Sequence, residues 1–301
     1  ARRLFHPVAT AVRLSRWAGV PTLLLYLALS VVLGESGAGI EYEDADLTRV
    51  LGFVALAIIL TEGGFTTRWE SIRPVLGRSV LLATVGVAVS VAVTSGFLVH
   101  FLGVDVRTAL IFGAVVSSTD AAAVFSVLRR LPLKRRVAAT LEAESGLNDP
   151  LAILLVTIVA SDAWFDLDIW SALGLVLYEL AAGVLVGLLV AKLGQETLRR
   201  IALPAAGLYP VATVAFALLA YGAAGFLGAS GFAAIYVAAL WLGNAPLPHR
   251  TTTLGFVEAL GWLAQIGLFV LLGLLASPAR LLEALPTALV LGTVLLLLAR
   301  P

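Results

Sequence analysis

Ten stretches of this chain, at roughly 18–34, 47–65, 79–102, 108–128, 137–161, 170–191, 207–227, 229–243, 254–276 and 281–299, run almost wholly apolar from end to end. A helix needs about 20 mostly apolar residues to cross a bilayer, and in lipid only helices and closed barrels pair every backbone N–H and C=O. Barrel strands alternate apolar and polar residues. These runs are continuous, which predicts an all-α, polytopic membrane protein of about ten transmembrane helices. Charged residues make up 13% of the chain and hydrophobic ones 60%, against about 25% charged in a soluble domain, so a soluble fold is excluded.

The connecting segments test that division independently. Of the 20 lysines and arginines, 17 fall before the first run, after the last, or in every second connection, leaving Arg49, Arg107 and Arg280 on the other side. That other side holds Glu35, Glu41, Glu43, Asp44, Asp46, Asp105, Asp162, Asp166, Asp168 and Glu283. Cytoplasmic loops carry the excess of basic residues. A multi-pass protein of the cell (inner) membrane is expected, with both termini cytoplasmic. The net charge of +1 gives no basic field for nucleic acid.

The chain has no cysteine, and His6, His100 and His249 all fall at segment ends, so neither a metal cofactor nor any other cofactor is expected. The acidic stretch 41–46 lacks the ligand spacing of an EF-hand and reads as a solvated outer loop. Residues 1–17, with Arg2, Arg3, Arg13 and Arg16, have no continuous apolar core and are not a signal peptide. A trimmed or processed chain is expected, since it starts at Ala1 and has no methionine.

Polar side chains within a membrane helix cost roughly 2.5–3.5 kcal/mol each when ionisable, so their positions point to function. One cluster is Ser117-Ser118-Thr119-Asp120, about halfway along its run. It suits a helix that breaks at mid-membrane, where freed carbonyls and half-helix ends line an ion site. The second is Glu144-Ser145-Gly146-Leu147-Asn148-Asp149-Pro150. Helical spacing stacks Ser145 with Asp149 and Glu144 with Asn148, and Pro150 has no N–H for the carbonyl of Gly146. A carboxylate, a hydroxyl and free carbonyls are suitable ligands for a hard monovalent cation.

The stretch S-S-T-D-A-A-A-V-F at 117–125, E-S-G-L-N-D-P at 144–150, T-E-G-G at 61–64 and G-L-F-V-L-L-G-L at 267–274 resemble the monovalent cation/proton antiporter superfamily. The likeness is to its electroneutral branch of sodium/proton exchangers and bacterial potassium/proton antiporters. The resemblance implies an inverted-repeat fold with a discontinuous helix and a monovalent cation at Asp149. Asn148 stands where electrogenic relatives have a second aspartate. Ser145 and the backbone of Thr119 would be further ligands, Asp120 would line the crossover or bind near the ion, and Glu62 would be a candidate ligand. Glu144 would form a structural salt bridge with an arginine on a later helix; the chain ends at Ala299-Arg300-Pro301 before any such segment, and truncation at both ends is expected.

On the same resemblance, 1–17 is a cytoplasmic segment or remnant of a first helix, and 18–78 and 200–276 are scaffold helices. Residues 79–161 are the core that holds the ion site, 162–199 a linker helix, and 277–301 the start of a second core repeat. The implied activity is exchange of K+ or Na+ for a proton, electroneutral because one carboxylate carries one charge, by a homodimer in the bilayer. Plainer readings stand beside these. Asp149 with Asn148 could simply fasten helices, Asp120 could cap a half-helix, and Glu62 and Glu258 could reach water at the cytoplasmic ends. Gly183 and Gly187 form a small-xxx-small pair that could seat another helix, and Glu179 fits a packing role. A cation channel or a non-transporting membrane scaffold or sensor is the alternative function; a hydrolase would need a G-x-S-x-G or H-E-x-x-H motif.

Overall fold

The computed structural model describes residues 22–34, 42, 44–119 and 134–299. Asp120, residues 1–17, the first residues of the 18–34 run and the second half of the 108–128 run lie outside them. The described residues form helices α1 (Thr22–Leu33), α2 (Ala45–Thr66), the single turn α3 (Trp69–Ile72), α4 (Leu76–Leu81), α5 (Val87–Leu102), α6 (Val106–Ser117), α7 (Arg135–Ala160), α8 (Ile169–Arg200), α9 (Leu208–Phe226), α10 (Gly231–Asn244), α11 (Arg250–Leu275) and α12 (Pro278–Val294). A π-turn at Leu82–Gly86 joins α4 and α5 into one rod.

Among the described residues, seven helices are long and apolar enough to cross a membrane. The predicted runs at 18–34, 108–128 and 229–243 correspond to the shorter apolar helices Thr22–Leu33, Val106–Ser117 and Gly231–Asn244. The helix over 170–191 continues to Arg200. Its added turns are held by Gly194 against the Phe216 ring and by the Glu196–Arg200 ion pair at i, i+4.

The helices start and stop for local reasons. Asp105 and Asp168 cap α6 and α8 by accepting from the backbone N–H groups of Thr108 and Ser171, the usual task of an N-cap carboxylate. Hydrogen bonds from Thr108 hold the Asp105 carboxyl below the ordinary carboxylate range, and those from Ser171 do the same for Asp168. At the other end of α7, Arg107 donates to the carbonyls of Val159, Ala160 and Ser161 at 2.9, 2.7 and 3.1 Å. A cation there satisfies carbonyls that have no helical partner. This explains one of the three basic residues on the acidic side.

Two compact units emerge. One contains 22–59 and 261–289 of the described residues. Within it α1 meets α11 where Gly273 leaves space for Ser30, whose hydroxyl also donates to the carbonyls of Tyr26 and Leu27 at 2.8 and 2.9 Å. The other contains 60–119, 134–260 and 290–299. Its core is small and close-packed, with Ala191, Ala220, Ala224, Ala234 and Ala238 fully buried beside Phe65 and Leu242. Small side chains let helix backbones approach closely in lipid, where no hydrophobic force drives helices together.

Candidate functional site

The helix α6 stops in mid-run. The Ser117 hydroxyl turns back onto the Gly113 carbonyl, competing with the helical ladder, and Ser118 then takes an extended conformation at φ −74°, ψ 141°. The helix thus ends at the Ser-Ser-Thr run, and the residues that would resume it, 120–128, lie outside the described residues. Gly113 lets this helix press against α5, where a Cβ would meet Ser95 and the Val91 carbonyl.

Opposite the break lies the middle of α7, which passes through Pro150 without ending. Ser118 donates from its hydroxyl to Asp149 Oδ1 at 2.6 Å. Asn148 donates from Nδ2 to Thr119 Oγ1 at 2.7 Å, and the Ser145 hydroxyl donates to the Thr119 carbonyl. Ser145, Asn148 and Asp149 are spaced i, i+3 and i+4, so one face of α7 presents all three to Ser118 and Thr119. Four of the expected residues, Thr119, Ser145, Asn148 and Asp149, are thus brought together.

The set is inside the protein. Asn148 is fully buried and Ser145 nearly so, while Asp149 is partly exposed. Asn148 Oδ1 is buried without a hydrogen-bond partner, a condition that costs roughly 1–3 kcal/mol for a neutral acceptor. The Gly146 carbonyl has lost its helical donor to Pro150. Around one carboxylate the geometry therefore gathers hydroxyl, amide and carbonyl oxygens. Such a donor set suits a hard cation that has shed its water, and the carboxylate alone among them exchanges a proton.

Glu144 is buried one residue before Ser145, so its side chain leaves the helix about 100° away from Ser145. Glu62 is partly buried near the end of α2, and its carbonyl accepts from the Thr66 hydroxyl at 2.8 Å. Three further residues belong to the surroundings. Ser118 was visible in the polar run, but its bond to Asp149 required the fold. Glu142 accepts from Thr67 Oγ1 at 3.0 Å. Tyr236 is buried, its hydroxyl packed against the space over Gly146. In an apolar helix it read as core.

Comparison with known proteins agrees on one family. A family profile described as sodium/hydrogen exchanger, transmembrane, matches residues 5–301. The K(+)/H(+) antiporter NhaP2 of Shewanella sp. (strain ANA-3) is 38% identical over 287 residues, covering 94% of this chain and 50% of the relative. The K(+)/H(+) antiporter NhaP of Alkalimonas amylolytica is 38% identical over 302 residues, covering 99% of this chain and 52% of the relative. The Na(+)/H(+) antiporter NhaS2 of Synechocystis sp. (strain ATCC 27184 / PCC 6803 / Kazusa) is 28% identical over 292 residues, covering 94% of this chain and 52% of that protein. The chain spans about half the length of these curated relatives. In fold it is similar to the sodium proton antiporter MjNhaP1 from Methanocaldococcus jannaschii, with a TM-score of 0.82, 24% identity, and coverage of 98% of this chain and 76% of that one.

Proposed function

We propose, from the premise that this chain belongs to the sodium/hydrogen exchanger family, that its protein exchanges a monovalent cation for a proton through Asp149. The observation that carries this reading is the hydrogen-bonded set where α6 ends, in which Ser118 holds Asp149 while Ser145 and Asn148 hold Thr119. The buried, unpaired Asn148 Oδ1 beside them is an acceptor that a cation would satisfy.

The chemistry follows from the donor set. Asp149 holds either a proton or a cation, because one carboxylate neutralises one charge. Ser118 orients it, and Asn148, Ser145 and the Thr119 carbonyl supply neutral oxygens that replace the cation's water. With asparagine at position 148, each proton exchanged for one cation moves no net charge. Both Na+ and K+ suit this donor set, and relatives named for either ion exist. Asp120 is assigned to the crossover or a place near the ion, Glu62 to a candidate ligand position, and Glu144 to an ion pair that braces the core.

The same reading takes the protein as an inverted-repeat carrier of ten spans in the cell membrane, with a cytoplasmic N-terminus. Residues 79–161 form the moving core, 18–78 and 200–276 the scaffold through which it dimerises, and 162–199 the link. Residues 277–301 begin a second core repeat. Alternating access comes from the core moving against the scaffold with the midplane site.

The test is transport by the full-length protein in vesicles carrying a cation gradient. Asp149→Asn preserves volume and hydrogen bonding but can neither release a proton nor neutralise a cation. It is expected to abolish cation-driven proton movement while folded protein persists. Exchange at a near-normal rate in that variant would refute the assignment.

A further inference from the structure

We propose that Glu142, Thr67 and Tyr236 form a proton path between the cytoplasm and Asp149, separate from the route of the cation. The inference rests on the antiport reading above. It begins with spacing: Glu142, Gly146 and Asp149 stand at i, i+4 and i+7 and share one face of α7. Two carboxylates thus lie about 10 Å apart along the helix, with a glycine between them.

What fills the interval is a tyrosine. The hydroxyl of Tyr236 occupies the space over Gly146, where any Cβ would collide with it. Gly146 lies one turn from each carboxylate on this face, so the phenol hydroxyl stands between Glu142 and Asp149. Thr67 Oγ1 in turn lies 3.0 Å from Glu142 Oε1 and 2.7 Å from the Gly63 carbonyl. Tyr236 enters this row from α10, and Thr67 from the residue that follows α2.

This row passes a proton more readily than a cation. Gly64 brings the α2 backbone against α10, where a Cβ would lie 2.6 Å from the Tyr236 carbonyl and 2.9 Å from Ala239 Cβ. A dehydrated cation needs several oxygens around it and room to pass, whereas a proton needs only a row of hydroxyls. In the outward-to-cytoplasm step Asp149 gives its proton to Tyr236 Oη, bridging one helical turn directly or through a water. Tyr236 gives its own proton to Thr67 Oγ1, again directly or through a water, and Thr67 gives its proton to Glu142. Each hydroxyl ends with one hydrogen, and the net change is one proton moved from Asp149 to Glu142.

The cytoplasmic direction comes from the same elements. Helix α7 starts at Arg135 and Arg136, Thr67 is followed by Arg68 and Arg73, and α10 leads to Arg250. All lie in the basic connections that mark the inside.

The experiment compares two fluxes of the full-length protein in vesicles. One is proton-coupled exchange, read with a pH dye. The other is self-exchange of radiolabelled rubidium or sodium against the same ion, which requires no net proton movement. Glu142→Gln and Tyr236→Phe are each expected to lower the ratio of coupled exchange to self-exchange by at least about tenfold, the scale of one lost proton-transfer group. Tyr236→Phe retains the ring that packs on Gly146 and carries the test if Glu142→Gln does not fold. A parallel fall of both fluxes would make these residues cation ligands or structural and overturn the proposal, as would no change in either. Asp149→Asn separates the two levels: if it retains both fluxes, the antiport reading itself fails, whatever the ratios.

Discussion

Where α7 crosses the end of α6, the contact is made by side-chain hydrogen bonds from Ser118, Ser145 and Asn148; where α8 crosses α10, it is made by backbone against backbone. At the second crossing Gly183 and Gly187 admit the carbonyls of Ser230 and Ala234, each 2.5 Å from where a Cβ would be. The sequence reading of Gly183 and Gly187 as a seat for another helix is thus realised with α10 as the partner. Half of the central apolar window of α7 is buried, against 11% for α8. Lipid offers no hydrophobic drive between helices, and the protein uses both remedies, polar contacts and small residues. Only the polar crossing leaves oxygens that can change partners. The glycine crossing can hold a helix firmly, but it has nothing to exchange.

The largest effect is expected from breaking the glycine crossing. Gly187→Leu places a branched side chain where Ala234 backbone stands and should cost about 3 kcal/mol or more. Thermal unfolding in detergent would show it, with transport falling in proportion to folded protein. An unshifted unfolding temperature would mean that the two backbones are not held in contact.

At the polar crossing the loss should be smaller in stability and larger in function. Asn148→Ala removes the bond to Thr119 at a cost of about 1 kcal/mol, typical of hydrogen bonds between membrane helices. Cation affinity should weaken about tenfold, equivalent to about 1.4 kcal/mol of lost coordination, as measured by the cation concentration for half-maximal exchange. Unaltered affinity would leave Asn148 as a fastener only.

The smallest effect sharpens the contrast on a single helix. Leu189, two residues beyond Gly187, is 68% exposed, so Leu189→Ala leaves no cavity within the chain. Its unfolding should shift by less than about 0.5 kcal/mol. A loss comparable to that of Gly187→Leu would show that this face packs against protein.

The two crossings also differ in how well they could be read beforehand. Ser145, Asn148 and Asp149 stood out because polar groups in an apolar run have no other solvent, and the Ser-Ser-Thr run announced the end of α6. Glu142 did not, because a carboxylate six residues after Arg136, the last basic residue of its connection, has water within reach. Tyr236 was hidden for the opposite reason, as one aromatic in an apolar helix whose ring is indeed core while its hydroxyl is not. Both depend on α2 and α10 meeting at Gly64, a contact between residues far apart in the chain. The runs at 108–128 and 229–243 show a related limit: apolar length gives candidate spans but does not reveal where a Ser117 hydroxyl or a Ser230 cap sets a helix end.

The central claim is that a proton and a cation compete for the Asp149 carboxylate, and proton release on cation binding tests it most directly. Purified full-length protein in weakly buffered detergent solution is titrated with sodium or potassium chloride, with choline chloride as the control, while a pH dye records liberated protons. The account predicts release that saturates with the cation in the unaltered protein and disappears in folded Asp149→Asn. Release of the same size in Asp149→Asn would contradict it.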